Sequence, residues 1–225
     1  MIARQLQFDA VKYGILHPNQ LGGVAQWSTK DAGIFLTHLV QAGWAKGLKT
    51  SIIAFDIAQF FLSLNYSMLT LILRHFGFPD CVVDFFSNYL VGRSTQYFWN
   101  SFLSGACDAD VGVGQGSALS PILSALYIAP LICIFEHRAQ SLNLSTSILS
   151  FVDDGLLISQ GKTYNKTLPE LYSSYRVVTD FLFFILFFIF LFINLLHGAR
   201  SQSMADYLQQ VAYSFRGLRG QKPPS

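Results

Sequence analysis

The chain has 225 residues, of which 52% are hydrophobic and 12% are charged, and its net charge is +2. This composition excludes a disordered chain, and the low net charge excludes the strongly basic surface that by itself indicates nucleic-acid or acidic-membrane binding. The three cysteines are widely spaced, which suggests neither a disulfide framework nor a zinc site, and the first twenty residues contain no apolar run of signal-peptide length. These features favour a reducing, intracellular location.

The N-terminal quarter predicts two helices and a strand. Apolar residues recur at helical spacing over residues 2–13, and a second helix is predicted to begin at a cap on Ser28 or Thr29 and to end at Gly43 or Gly47. Residues 49–57, KTSIIAFDI, form an almost continuous apolar run rich in β-branched residues. This run predicts a strand buried on both faces.

The middle of the chain predicts two helices followed by a hairpin. Helical spacing returns over residues 67–76 and 80–91. Residues 94–100 and 106–112 are extended candidates on either side of Gly105, which predicts a hairpin that turns at this glycine.

Residues 116–138 predict a long apolar helix, with Pro121 near its start and Pro130 at a predicted kink. Residues 146–152 and 155–159 then predict a second hairpin, since Asp-Gly between apolar runs is a common sign of a two-residue turn. Weak helical spacing follows over residues 166–180. The mixed order of elements predicts an α+β fold, in which helices back an antiparallel sheet.

Residues 181–196, FLFFILFFIFLFINLL, differ from everything before them. At 1.5 Å per residue they predict an apolar helix of roughly 24 Å, which is shorter than the roughly 30 Å hydrocarbon core of a bilayer. Two interpretations of this segment are therefore retained, a buried core helix and a transmembrane segment. Residues 197–225 are weakly basic and predict a disordered tail.

Three stretches combine residues that are suited to metal-dependent chemistry. Asp56 ends the predicted strand, where a buried carboxylate is costly unless a cation or a partner neutralises it. Residues 112–121, GVGQGSALSP, form a glycine-rich turn that opens a helix. Asp153 and Asp154 are adjacent carboxylates at a hairpin tip, and a divalent cation such as Mg²⁺ would relieve their repulsion.

Each stretch also has a simpler interpretation. Asp153 and Asp154 can belong to an ordinary tight turn, and Asp56 can be a helix-capping or turn residue. Phe61 can be a plain core residue. A dinucleotide loop with Glu136 as its acidic partner is disfavoured, because the sequence around Glu136 is helical.

Taken in order, AFDIAQFF (54–61), GVGQGSALSP (112–121) and FVDD (151–154) resemble motifs A, B and C of a reverse transcriptase, most closely those of non-LTR (LINE-type) retrotransposons. Residues 19–40 also resemble the fingers segment that precedes motif A in that family. The resemblance covers about residues 2–180 and implies a polymerase palm with partial fingers.

The resemblance implies a role for each matching acidic residue. Asp56 and Asp153 would hold two Mg²⁺ ions, with Mn²⁺ as a substitute, and Asp154 would shape the site. The backbone carbonyl of Ile57 would bind one of the metals. The implied reaction is two-metal nucleotidyl transfer from a deoxynucleoside triphosphate to a DNA primer on an RNA template.

The remaining implied residues surround the nucleotide. Phe61 matches the aromatic residue that lies under the deoxyribose and excludes a 2′-hydroxyl. Gln115 and Gly116 match the start of motif B, which packs against the incoming nucleotide and template, and Ser120 and Pro121 match its end.

These assignments divide the chain into four parts: partial fingers over residues 1–48, the palm over 49–180, the apolar helix over 181–196 and the tail over 197–225. The family implies a location in the nucleus or cytoplasm, with a membrane as the alternative. No protein partner is predicted.

The chain also departs from the family pattern. Trp27 stands where arginine is common, no basic fingers motif precedes residues 19–40, and no thumb is recognisable after residue 180. We therefore expect a truncated copy with impaired activity. The alternative is a catalytically inactive retrotransposon relic that associates with membranes through residues 181–196.

Overall fold

The computed structural model describes residues 2–109, 111–114 and 116–196. Within them, the helices are α1 (Ile2–Lys12), α2 (Thr29–Ala45), α3 (Phe60–Ser63), α4 (Tyr66–His75), α5 (Asp80–Leu90), α6 (Ser120–Ser141) and α7 (Tyr164–Leu196). The strands are β1 (Lys49–Asp56), β2 (Ser94–Thr95), β3 (Phe98–Trp99), β4 (Phe102–Leu103), β5 (Cys107–Asp108), β6 (Thr146–Phe151) and β7 (Asp154–Gly161). The predicted tail, residues 197–225, lies outside the described residues.

The largest sheet has three antiparallel strands in the order β1-β7-β6. Its β6 side is extended by residues 19–21, because the Leu21 amide donates to the Ser150 carbonyl and the Ser150 amide donates to the Asn19 carbonyl, both at 2.9 Å. Helices pack on this sheet, so the predicted α+β class with an antiparallel sheet is confirmed.

The prediction that β1 is buried on both faces is wrong. Of its eight residues only Ser51 is buried, and Asp56 is exposed. The physical reason is the position of the strand, since β1 is an edge strand of the sheet. Its apolar composition therefore reflects half-buried packing beside β7 instead of full enclosure.

Helix α2 covers one face of the sheet. Ser28 caps it in a capping box with Asp31, and the Ser28 hydroxyl lies 2.6 Å from the Asp31 carboxylate. Its apolar residues join a cluster on the sheet that consists of Leu21, Leu149 and Ile158, packed against Ala32, Leu36, Leu39, Phe151 and Leu156. The predicted cap is therefore Ser28, and the helix that it starts forms part of the core.

Helix α6 forms the centre of the core. It is buried along most of its length, continues through Pro130 as one helix, and is followed by β6. By length and composition α6 could cross a membrane, but 67% of its most apolar 18-residue stretch is buried inside the protein. Its hydrophobicity is therefore explained by its central position in the core.

Helix α7 begins on the other face of the sheet. Thr167 and Ser51 share a buried hydrogen bond of 2.7 Å between their hydroxyl groups, and the Ser159 hydroxyl donates to the Glu170 carboxylate at 2.9 Å. The helix runs without interruption to Leu196, so the predicted helices at 166–180 and 181–196 are parts of one element. The chain divides into two units, Met1–Ile185 and Leu186–Ser225.

The segment between α5 and α6 forms an outer hairpin that encloses an inner one. The predicted pairing of its two halves is present, as β2 pairs with β5. The predicted turn at Gly105 is wrong, because an inner hairpin of β3 and β4 turns at Asn100 and Ser101, both with positive φ. Asn tolerates this left-handed conformation, so the turn forms before the glycine is reached.

Candidate active site

The register of the sheet brings the predicted acidic residues together. Asp56, the last residue of β1, pairs with Asp154, the first residue of β7. One step further, the Ile57 amide donates to the Asp153 carbonyl at 3.1 Å. Residues separated by 96 and 98 positions in the sequence are therefore neighbours at one end of the sheet.

The geometry of this pairing places two like charges close together. Residues directly opposite in antiparallel strands project from the same face, with Cβ atoms roughly 4.5–5.5 Å apart. Asp56 and Asp154 are exposed and Asp153 is half-buried, and within the described residues none of the three carboxylates forms an ion pair. Such an arrangement is mildly repulsive without a cation and attractive to one.

These oxygen ligands fit Mg²⁺ better than they fit a closed metal site. Among the described residues, no three His, Cys, Asp or Glu side chains converge closely enough to enclose a metal. Mg²⁺ does not require such a cage, because it commonly binds one or two carboxylates and keeps waters or substrate phosphates as its other ligands. The Ile57 carbonyl accepts a bond from the Phe60 amide at 3.2 Å and retains a second lone pair.

The turn that carries Asp153 differs from the predicted one. Phe151 pairs with Asp154, so the two connecting residues are Val152 and Asp153, and Gly155 lies in the ladder opposite Ser150. Val152 has φ of +61°, which is unusual for a β-branched residue and costs on the order of 1–3 kcal/mol. The Asp-Gly signal identified the hairpin correctly, but the turn lies at residues 152–153, one residue before the 153–154 position between the predicted strands.

The reason that residue 155 is glycine lies in the neighbouring strand. A Cβ on Gly155 would lie 2.5 Å from Cε1 of Phe55, its partner on β1, because the ring lies across the glycine. Gly155 therefore accommodates an aromatic ring beside the carboxylates instead of forming the turn.

Phe61 lies on the short helix α3 that follows Asp56. Its neighbour Phe60 is buried and packs edge-to-face against Tyr127 of α6, with ring centroids 6.1 Å apart. Phe61 itself is half-buried, and its ring contacts the Phe60 ring edge-to-face with centroids 5.9 Å apart. The core role weighed for Phe61 is therefore carried mainly by Phe60, and the sugar-contacting role of Phe61 stays a prediction.

The glycine-rich segment is bonded to the segment that follows Asp56. The Val113 amide donates to the Phe61 carbonyl at 2.7 Å, and the Gly112 amide donates to the Leu64 carbonyl at 2.8 Å. Gly112 has φ of +85°, and a Cβ there would lie 2.8 Å from the Leu62 carbonyl oxygen. Motifs A and B are thus joined through backbone hydrogen bonds.

The second half of this segment opens helix α6. The Ser120 hydroxyl donates to the Gly114 carbonyl at 2.6 Å and closes the turn, and Pro121 occupies the first turn of the helix, as predicted. Gly116 is exposed and has φ of +88°, with no atom within 4 Å of an added Cβ. Gln115 lies outside the described residues, so its predicted nucleotide contact stays a prediction.

The structure adds residues that the sequence did not reveal. The Gly112 carbonyl accepts from the Tyr66 hydroxyl at 2.7 Å and from the Arg93 guanidinium at 3.2 Å. A Cβ on Gly114 would lie 3.5 Å from Arg93, so this cation borders the glycine-rich loop. No motif indicates Arg93 or Tyr66, because their partner is a backbone carbonyl that becomes adjacent only in the fold.

The dinucleotide interpretation is wrong. Glu136 lies inside α6, and Nε2 of His17 donates a hydrogen bond to its carboxylate at 2.8 Å. The Asn19 amide donates to Nδ1 of the same ring at 3.1 Å. Glu136 therefore anchors the segment before residues 19–21 to α6, and it lies within a helix, whereas a dinucleotide site would need it at the end of a strand.

Residues 1–181 match the profile of the family described as "Reverse transcriptase (RNA-dependent DNA polymerase)". The chain belongs to the reverse transcriptase family. This membership confirms the resemblance that motifs A, B and C indicated.

A relative and two solved structures show how far this reverse transcriptase domain resembles known proteins. The chain is 24% identical over 133 residues to the "Retrovirus-related Pol polyprotein from type-1 retrotransposable element R2" of Popillia japonica, which agrees with the predicted kinship to non-LTR retrotransposons. This alignment covers 56% of the chain and 21% of the relative. The chain therefore spans about a fifth of the curated relative that it matches.

The solved structures are both telomerases. Apo telomerase from Candida tropicalis, truncated from its C-terminal domain, superposes with a TM-score of 0.47 and 13% identity over 77% of this chain and 35% of its own. Telomerase from Candida albicans, in complex with a fragment of telomeric RNA, superposes with a TM-score of 0.47 and 14% identity, over 76% of this chain and 31% of its own.

Proposed function

We propose that this reverse transcriptase domain is a palm with partial fingers that performs RNA-directed DNA synthesis by two-metal nucleotidyl transfer. The pairing of Asp56 with Asp154, with Asp153 beside them in the turn, carries the proposal. Family membership supports an RNA template as the nucleic-acid partner. A DNA primer and a deoxynucleoside triphosphate complete the proposed substrates.

The proposed roles follow from the position of each residue. Asp56 and Asp153 would hold Mg²⁺ together with the Ile57 carbonyl. Asp154, directly opposite Asp56, would make the local electrostatic potential more negative and so more attractive to the cation. When bound, Mg²⁺ lowers the pKa of the primer 3′-hydroxyl and neutralises charge on the triphosphate.

The other residues would position the nucleotide. Phe61 would lie under the sugar, and Gln115 and Gly116 would contact the nucleotide and template. Support for a shared role comes from the Val113–Phe61 hydrogen bond of 2.7 Å, which makes the glycine-rich segment and the aromatic segment one unit. Displacement of either segment would then disturb the nucleotide pocket as a whole.

We further propose that polymerisation by this chain is weak. Its net charge is +2, whereas phosphate-backbone binding depends on Lys and Arg contacts. Trp27, where relatives commonly have arginine, is 47% exposed, so it offers a ring and no positive charge to a nucleic acid. Weak retention of primer and template is therefore the expected limitation.

The test is Mg²⁺-dependent primer extension on an RNA template with the full chain. Asp153→Asn should reduce extension by about 10³-fold or more, since it removes a ligand used in the transition state. Asp84→Asn, on the exposed surface of α5, is the matched control and should retain wild-type extension.

Two results would contradict the proposal. One is a wild-type signal no higher than that of Asp153→Asn, and the other is an equal loss in Asp84→Asn. Mn²⁺ binding by the folded wild type, followed by electron paramagnetic resonance, would then show whether the carboxylates still bind a cation.

The alternative proposal is a catalytically inactive relic that associates with membranes through residues 181–196. It is supported by the apolar composition of this part of α7. Partitioning between detergent and aqueous phases tests it: the full chain should enter the detergent phase and a chain that ends at residue 180 should not. Equal partitioning of the two chains would remove the membrane role.

A further inference from the structure

Gly22 packs directly against the turn that presents Asp153. A Cβ added to Gly22 would lie 2.6 Å from the carbonyl carbon of Phe151 and 2.7 Å from Cγ2 of Val152, and it would overlap the Val152 amide nitrogen. Gly22 does not have a positive φ. Its own backbone could therefore accept an alanine, and the need for glycine comes from the close approach of the turn.

The chain on either side of Gly22 is firmly anchored. Residues 19–21 bond to Ser150, the residue two positions before Val152, through both its amide and its carbonyl at 2.9 Å. Gly23 has φ of +75°, and a Cβ there would lie 3.0 Å from the carbonyl carbon of Pro121 at the start of α6. The Gly22–Gly23 pair thus packs between the turn that carries Asp153 and the start of α6.

The turn needs such external support. Val152 is β-branched and has φ of +61°, a conformation that persists only when surrounding groups enforce it. Two of the three atoms that Gly22 approaches belong to the Phe151–Val152 peptide, and the third is Cγ2 of Val152. The orientation of that peptide determines where the next residue, Asp153, begins.

We propose that Gly22 is a positioning residue for the metal site. Its bare Cα allows the 19–22 segment to seat against the Phe151–Val152 peptide, which holds Val152 in its left-handed conformation and fixes Asp153 beside Ile57. The metal-related consequence rests on the function proposed above, whereas the effect on the turn does not.

The test compares Gly22→Ala with Gly33→Ala in the full chain. Gly33 is the matched control, because no atom lies within 4 Å of a Cβ at that position. Gly22→Ala should weaken Mn²⁺ binding about tenfold or more, at a temperature where the protein is folded, and should accelerate hydrogen exchange of the Ile57 amide, which bonds to Asp153. Gly33→Ala should change neither quantity.

The two measurements separate this proposal from the proposed function. If the wild type binds no Mn²⁺, the metal function fails, and hydrogen exchange at Ile57 still decides whether Gly22 holds the turn. Unchanged Mn²⁺ affinity together with unchanged exchange in Gly22→Ala would overturn the positioning role.

A second variant covers the case in which Gly22→Ala does not fold. Glycine at position 152 accepts either sign of φ, so in Gly22→Ala/Val152→Gly the turn can move away from the added methyl group. This double variant should fold and should show faster Ile57 exchange and weaker Mn²⁺ binding than Val152→Gly alone. Equal values in the two proteins would overturn the proposal.

Discussion

The β6–β7 hairpin and the β3–β4 hairpin each turn in two residues, but their surroundings differ. The β6–β7 hairpin lies between β1 and residues 19–21, and Leu157 in its second strand is fully buried. In the β3–β4 hairpin, Phe98 and Trp99 are 72% and 76% exposed. The two hairpins also differ in the residue types that form their turns.

The exposed hairpin begins its turn with Asn100, a residue that tolerates a left-handed backbone, whereas the enclosed hairpin uses Val152, which does not. Tertiary packing can hold a strained residue only where neighbours enclose it. The enclosed hairpin is also the one that carries the acidic residues, so rigidity and the candidate metal site coincide.

The largest expected effect on stability comes from removing a buried side chain from the enclosed hairpin. Leu157→Ala removes a fully buried side chain from the strand between β1 and β6, and should lower the free energy of unfolding by about 2–5 kcal/mol. Phe98→Ala should change it by no more than about 0.5 kcal/mol, because the ring is exposed. Urea unfolding measures both, and similar losses in the two variants would contradict the difference in support.

High pH should weaken the part of the core where Tyr127 of α6 packs against Phe60. Burial raises the pKa of Tyr127 to about 12. The folded state therefore holds this proton more tightly than the unfolded state, and stability that is full below pH 10 should fall by about 2–3 kcal/mol as the pH rises to 12.

Tyr127→Phe is the control for this pH dependence, since it keeps the ring that packs on Phe60. Unfolding measured between pH 9 and 12 should fall less steeply in Tyr127→Phe than in the wild type. Parallel curves would show that Tyr127 is not the responsible group.

The smallest expected effect concerns the facing carboxylates. Asp56→Asn removes the like charge opposite Asp154 and, without divalent cations, should raise the free energy of unfolding by about 0.2–1 kcal/mol at low salt. Added Mg²⁺ should stabilise the wild type more than the variant. A variant less stable than the wild type under both conditions would contradict repulsion at this edge.

Local sequence signals identified most of the elements correctly. Apolar runs predicted β6, β7 and α6, and the cap at Ser28 is present. The signals failed where the outcome depended on distant neighbours. Gly105 looked like the turn of its hairpin, but a left-handed Asn100 turns the chain earlier.

The candidate site shows the same division. The order of motifs A, B and C predicted Asp56, Asp153 and Asp154 as site residues, but it could not predict which of these residues face each other across the strands. Gly22 and Arg93 have no motif that marks their contacts, because their partners are a peptide and a carbonyl from other segments.

Residue identity and local periodicity were sufficient to predict the family and the α+β class correctly, and they named the acidic residues as candidates for the site. Only the tertiary structure reveals that Asp56 faces Asp154, that the turn falls on Val152 and Asp153, and that Gly22 packs against this turn. The physical reason is that strand register and close backbone contacts arise from packing between segments far apart in the chain, where local preferences have no influence.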